Sequence, residues 1–476
     1  MMARRLAALS VLFPTLLAAQ TTSRLQPGER AFVAVDAPVV ALTHVKLIDG
    51  TGAAPADDQT VVIRDGSIAW VGPSRSANVP AGARVLDLAG HTVIPGMVGL
   101  HDHTFYGGAS WPYVHQPVSA PRLYLAAGVT TIRTTGSTAP YQDMILKRSI
   151  DSGLVVGPRM YVTGPYITGP GGNHGMMHEV TTPEAARRVA AYWSAEGASW
   201  LKVYDRITRA ELKAVVEEAH KHGVQVTGHL CSIGFREAVA AGMDAVEHGL
   251  YANQEYDPDK KPDQCPGVKM SVFEGLDLES DAVKATFRDM VSHGVAMTST
   301  VAIAEGLMAG RPPLEQRTMD ALYPPAKEAY LAARSMLEKP EAAPFRVSDK
   351  AFAKMLAYEL AFVRAGGLLG AGVDPTGVGG VLAGFGDQRN YELFLEGGFT
   401  PVEAIQILSA NGAKILDAAD RYGTVTKGKL ADLVVIRGDP VARPAEIRNV
   451  TLVFREGVGY DSAKLIASVK GMAGLR

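Results

Sequence analysis

The stretch "VIPGMVGLHDH", residues 93–103, is an apolar run that ends in two histidines one residue apart. On a β-strand, positions i and i+2 point to the same side. His101 and His103 would therefore face one pocket at the end of a buried strand. Two imidazoles placed there need a partner, either a metal ion or a polar pocket that hydrogen-bonds them. The pair does not choose between the two by itself; the rest of the chain does.

Outward from this strand, between about residues 93 and 420, short apolar runs alternate with amphipathic helices. The strand candidates are 93–100, 129–134, 159–163, 200–204, 224–228, 244–247, 295–300 and 368–373. The helices carry start and stop signals. Thr182-Pro183-Glu184 opens one, Thr208 with Glu211 forms a capping box closed by Gly223, and Thr400-Pro401 opens another. Eight strands, each followed by a helix, predict an α/β fold of the (β/α)8 TIM-barrel type. The largest insertions, about 251–280 and 302–348, follow the sixth and seventh strands and would cover the face where such barrels keep their active sites. The flanks read as all-β. They include "VVALTHVKLIDGTG" at 39–52 and "GKLADLVVIRGDP" at 428–440, with hairpin turns at Asp49-Gly50 and Asp65-Gly66.

The strand ends share one property. The first ends in His101-Asp102-His103, the fourth carries Lys202, the fifth ends in His229, the sixth in His248 and the eighth in Asp374. In a barrel these ends meet on one face. Each residue has an ordinary alternative: a core histidine for His229 or His248, a turn residue for Asp374 before Pro375, a lysine reaching to solvent for Lys202. Those alternatives do not account for the joint pattern. Imidazole and carboxylate donors suit zinc or a similar divalent ion. A buried lysine becomes a useful ligand once carbon dioxide converts it to an anionic carbamate, and burial favours that by lowering its pKa. His220 and His222 sit at a helix end, where a cation suits the dipole, and His44, His91, His115, His178 and His293 show no comparable placement.

The bulk properties agree with a globular protein that has a large core. The chain has 476 residues, 47% of them hydrophobic, and a net charge of −2, which gives no pull towards nucleic acid or anionic membranes. The segment "MMARRLAALSVLFPTLLAAQ" has two arginines before an apolar run that is short for a membrane span. It predicts a signal peptide over residues 1–19, cleaved near Ala19, and a periplasmic or secreted mature chain. No later stretch is long and apolar enough to span a membrane. Cys231 and Cys265 could pair in an oxidising compartment, but the default expectation is two separate thiols. The glycine-rich "GPGGNHG" at 169–175 reads as a mobile loop rather than a phosphate loop.

Taken in order, "LIDGTG", "VIPGMVGLHDH", "AGVTTIRTTG", "LKVYD", "GHL", "EHG", "GAGVDP" and "TPVEAIQILSANGAKIL" resemble the amidohydrolase superfamily, in its imidazolonepropionase-like and Xaa-Pro dipeptidase (prolidase-type) branch. The resemblance implies a small β-sandwich subdomain built from both termini (residues 20–95 and 421–476) around a metal-bearing barrel (96–420). It implies two divalent metal ions, zinc the first choice. His101 and His103 would bind the more buried ion, carboxylated Lys202 would bridge the pair, and His229 and His248 would hold the second. Asp374 would touch the first ion and move the proton of a metal-bridged hydroxide that attacks an amide. Tyr204 would either donate to the developing oxyanion or pack at the rim, and His174 would either contact substrate or lie free on the surface. The implied activity is hydrolysis of dipeptides, Xaa-Pro among them, or of N-acyl amino acids. Cyclic amides, lactones or other esters are the alternative substrates, and a ligand-binding barrel without turnover is a third reading. Homo-oligomers are common among such barrels. The stretch before "YEL" departs from the family pattern, reading Gln388-Arg389-Asn390. Arg389 there is expected to be exposed, with a substrate carboxylate as its other conceivable partner.

Overall fold

The apolar runs supply eight parallel strands of one barrel, except that the first run divides: residues 93–95 join the flanking sheet, and the barrel strand starts at Met97. The computed structural model describes residues 24–108, 111–172 and 176–476, so the predicted signal segment lies outside the described residues. In chain order the strands are β1 (Met97–Asp102), β2 (Val129–Thr134), β3 (Arg159–Tyr161, resumed at Thr163–Thr168), β4 (Trp200–Val203), β5 (Gln225–Gly228), β6 (Ala245–Glu247), β7 (Ala296–Ser299) and β8 (Leu369–Ala371). Parallel ladders join each strand to the next from β1 to β5 and from β6 to β8, and β8 returns to β1 through Ala371 opposite Gly99. Between β5 and β6 the ring is bridged by the Asp244 amide, which donates to the Val226 carbonyl at 3.1 Å. The helix signals hold. Thr182 caps Pro183–Ala195, and Thr208 and Thr400 each form a capping box with the glutamate three residues on.

The barrel is filled from its floor upward. Val98, Leu100, Trp200, Ala245 and Ala296 pack together, closed from below by Ala413, Ile415, Leu416 and Tyr422. Branched and aromatic side chains at this level make a solid core rather than a pore. Above Trp200 lies the Arg133 guanidinium, 4.3 Å from the ring centroid. Above that, the polar mouth begins.

Nine further strands form one sheet from both ends of the chain, and Phe105–Gly108 pairs with Trp111–His115 in a small hairpin beside the barrel. His91–Pro95 lies between Leu433–Arg437 and Val39–Leu47, and runs directly into β1. Strand alternation gives this sheet two jobs. Val93, Leu433 and Val435 face a separate apolar cluster with Val40, Leu42, Val61 and Phe454, while Ile94, Val434 and Ile436 face the barrel. The subdomain is thereby fixed to the strand that carries the first two histidines.

Both long insertions contribute to the cavity wall where they begin, through Tyr251 and through Ile303, Ala304 and Leu307. One expectation about them is corrected: Cys231 and Cys265 are bonded, and the disulfide ties the segment after β6 to the residue two beyond His229. Sequence separation alone gives no sign of this contact, because the insertion must fold back before the sulfurs meet.

Candidate metal centre

Local backbone devices turn the strand ends inward. Between the pairs Ile132–Gly99 and Thr134–Asp102, β1 takes three steps while β2 takes two, which is a bulge. Bulges re-aim side chains, and they concentrate beside active sites. Two other residues of the cluster are held in the left-handed region that non-glycine residues rarely occupy: His248 at φ 65° and Asp374 at φ 46°. The Asp374 amide donates to the His101 carbonyl at 2.7 Å, and Gly372 lies so close to the His101 backbone that a Cβ on it would collide. Glycine is what lets β8 approach β1 here.

The structure brings His101, His103, Lys202, His229, His248 and Asp374 into one cavity of about 230 Å³. Donor atoms of His101, His103 and Asp374 all lie within 4.8 Å of one another. His103 Nε2 is 3.3 Å and His101 Nε2 is 3.8 Å from the Asp374 carboxylate. Lys202 Nζ is 3.1 Å from His101 Nε2. The His248 ring sits 4.5 Å from both the His101 ring and the His229 ring, measured between centroids. Tyr204 stacks at a tilt on His229, 4.7 Å away, and Tyr166 stands edge-on to it. His174 lies outside the described residues.

Supporting side chains set the imidazole tautomers. His101 Nδ1 is 2.8 Å from Glu247 Oε2, and Glu247 is in turn held by Arg133 at 2.6 Å and by the Thr227 hydroxyl. An Nδ1–H donated to the carboxylate leaves the Nε2 lone pair turned into the cavity. His248 Nδ1 is 2.7 Å from the Thr300 hydroxyl. Glu247, Arg133 and Thr300 were not singled out from the sequence. A charged residue inside the apolar run "TTIRTT" was the available signal for Arg133, and the position directly before His248 the one for Glu247.

Burial dominates the electrostatics. It holds His101 and His248 well below the usual imidazole range and brings His229 down to about 3, with nearby Lys202 and the other imidazoles adding to the effect. Burial also lowers Lys202 to about 8, against the pull of Glu247 and Asp374. Asp374 is pushed up by burial, but His101 and His103 outweigh this and keep it below the ordinary carboxylate range. Burial and Asp374 raise the Tyr204 phenol, which stays a proton donor. The result is that burial disfavours the charged form of His101, His229 and His248 beside a carboxylate that stays ionised. Among the described residues, His103 Nδ1, His248 Nε2 and Asp102 Oδ2 are buried without a hydrogen-bond partner. Orphaned buried polar atoms are costly, and a divalent ion is what this donor chemistry fits.

Residues 122–459 match the sequence pattern of the amidohydrolase family. The chain belongs to the amidohydrolase family. Among curated relatives, it is 34% identical over 120 residues to a dihydroorotase from Anaeromyxobacter dehalogenans, covering 24% of this chain and 26% of that one. It is 38% identical over 94 residues to an imidazolonepropionase from Mycolicibacterium smegmatis, covering 20% and 22%. The matches thus span about a quarter of the length of those relatives. A solved Xaa-Pro dipeptidase with methionine bound in its active site superposes with a TM-score of 0.67 at 21% identity, over 89% of this chain and 100% of that one. This likeness shows the fold: an amidohydrolase barrel with its β-rich subdomain.

One expectation about this amidohydrolase chain needs revision, the exposure of Arg389. The "GFGDQRNYEL" stretch is mostly helix (Phe385–Glu396), and its polar residues face inward. Asn390 bonds the Gly372 carbonyl at 2.8 Å and the Ala302 amide at 3.0 Å, so it braces β8. Arg389 is not exposed. Its guanidinium is engaged by Glu305, Glu392 and Glu396. A single sequence hides this because the three acids come from two helices that meet only in the fold.

Proposed function

We propose that the chain is a secreted, metal-dependent hydrolase of amide bonds, acting on dipeptides of Xaa-Pro type or on N-acyl amino acids. The observation that carries this reading is the convergence of four imidazoles, three of them kept from protonating by burial, a lysine with a lowered pKa and an ionised aspartate on one cavity. His101, His103 and Asp374 would hold one divalent ion, zinc the first choice. His229 and His248 would hold a second, with carboxylated Lys202 between the two. Ions bound there supply Lewis acidity and bring the pKa of water towards neutrality.

The chain's own residues do the rest. Asp374 accepts the proton of the attacking water at its carboxylate and returns it to the leaving nitrogen. Tyr204, kept protonated, donates a hydrogen bond to the carbonyl oxygen as charge develops there. Glu247 and Thr300 fix the rings of His101 and His248. The walls, which include Val301, Leu307 and Met355, exclude water and strengthen each of these interactions. The disulfide supports an oxidising compartment and with it the secreted or periplasmic location. Sequencing the N-terminus of exported protein tests that location; a start near Gln20 is expected, and an intact Met1 would count against it.

Elemental analysis combined with a screen of dipeptides, N-acyl amino acids, cyclic amides and lactones tests the activity. Two equivalents of divalent metal per chain and amide turnover lost on chelation are expected. Full turnover after exhaustive chelation would overturn the reading.

A further inference from the structure

One acid in the cavity is unused by the metal centre. Glu359 lies on the helix Asp349–Arg364, in the connection between β7 and β8, and its side chain lines the cavity. The residue is 1% exposed. Val301, Ile303, Leu307, Met355 and Tyr251 line the same cavity. The neighbouring polar groups are few. The Ser299 hydroxyl is the one polar side chain that acts on the carboxyl, and its contact is too loose to leave Glu359 Oε2 or Ser299 Oγ well hydrogen-bonded within the described residues. On another side the carboxyl rests against Gly249, where a Cβ would come within 2.8 Å of Oε1.

Burying a carboxyl without a partner is costly, and ordinary cores avoid it. Burial pushes this one up to about 8. No salt bridge of Glu359 exists among the described residues, whereas Glu305 and Glu392 in nearby helices are each paired with arginine. The charges of the cavity wall are unevenly distributed. Lys202 belongs to the metal cluster, and Arg389 is spent on three acids outside the cavity. A substrate carboxylate therefore meets no uncommitted lysine or arginine among the described lining residues, while a substrate amine meets Glu359.

We propose that Glu359 recognises a primary amine on the substrate, so that the preferred amides carry a free amino group beside an apolar side chain. This rests on the amide-hydrolase reading and names the group that selects its substrates. An ammonium brought to Glu359 would satisfy the orphaned carboxyl with a charge-assisted hydrogen bond, and the apolar walls would take the attached side chain. Within the proposed dipeptides, this favours those with an open N-terminus over N-acylated amino acids.

Calorimetry on the metal-loaded full chain tests the proposal without needing turnover. The probes are phenethylamine and 2-phenylethanol, which differ in amine against hydroxyl. Wild type should bind the amine about tenfold more tightly or better. Glu359→Gln should bring the two probes to within about twofold while leaving the alcohol's affinity in place. Equal binding of the two probes by wild type would overturn the proposal, and that comparison needs no variant. An amine preference that survives Glu359→Gln would also overturn it, since the metal would then be what reads the amine. In a parallel assay with leucinamide and N-acetyl-leucinamide, Glu359→Gln should raise KM for leucinamide with kcat little changed. Absence of amide turnover with the amine preference intact would sink the hydrolase reading and leave amine recognition standing.

Discussion

Two groups of buried charges lie on opposite sides of the barrel wall. At the mouth, four imidazoles and Lys202 gather around Asp374 and leave buried donor atoms unpaired. At the seam with the nine-stranded sheet, Arg159 bonds Asp432 at 2.9 Å and Glu456 at 2.6 Å, and Asp432 also takes the Glu456 amide at 2.7 Å. Both groups are inside the protein, but only the second is complete. Burial works against the Arg159 charge, yet its two acids outweigh burial and hold it more firmly protonated than usual. The seam therefore reads as structure, and the mouth as a place built for something that the chain does not itself supply.

Substitutions on the two sides should fail in different ways. The largest effect belongs to the mouth. Asp374→Asn should lower kcat by about 10²–10⁴-fold, the range typical of losing a positioned proton-transfer group, with an unchanged far-UV circular dichroism spectrum. Turnover within a few-fold of wild type would show that Asp374 is not the proton carrier. At the seam, Asp432→Ala should leave Arg159 buried without its main partner and cost about 3–5 kcal/mol in denaturant unfolding. Activity per folded molecule should stay near wild type, and a selective loss of activity at full stability would erase the contrast.

A smaller effect is expected where the insertion after β6 meets the barrel. Cys265→Ser opens the Cys231 bridge across 34 residues and should cost about 2–4 kcal/mol. Because Cys231 lies two residues past His229, the metal content of the second site proposed above should fall before that of the first, as read by stepwise chelation. The smallest effect, measured per pH unit, concerns Glu359. Its carboxyl is raised from the ordinary 4.5 to about 8 in the folded chain. A raised folded pKa means that the unfolded chain gives up its proton first as pH rises. The stabilisation from the neutral acid is therefore complete below about 4.5 and is lost as pH climbs towards about 8, at up to about 1.4 kcal/mol per pH unit. Glu359→Gln should flatten that part of the stability-against-pH curve. An unchanged slope between those limits would show that the carboxyl is ionised in the fold.

The contrast also separates what was legible in the sequence from what was not. The eight barrel strands could be read because each is a short apolar run flanked by turn and cap signals, and the candidate ligands because each sits at the same end of its run. Strand periodicity placed His101 and His103 on one side; the bulge in β1 that re-aims them left no mark in the residues. The disulfide and the inward turn of Arg389 depend on segments distant in sequence, so no local pattern announces them. Glu359 escaped notice inside "AYELAFV", although a trace was present. It falls four residues after Met355 and three before Phe362, on the buried face of its helix, where an acid is out of place.

The shared sheet sets an order of events during synthesis. His91–Pro95 obtains its antiparallel neighbour only when Leu433–Arg437 has emerged, with Val93 opposite Val435. The earliest-made edge of the barrel thus waits on some of the latest-made residues, a long-range closure that slows folding and leaves an unpaired strand exposed on the nascent chain. A product truncated before residue 433 would keep all six cluster residues in its sequence and still lack the strand that seats the first two of them.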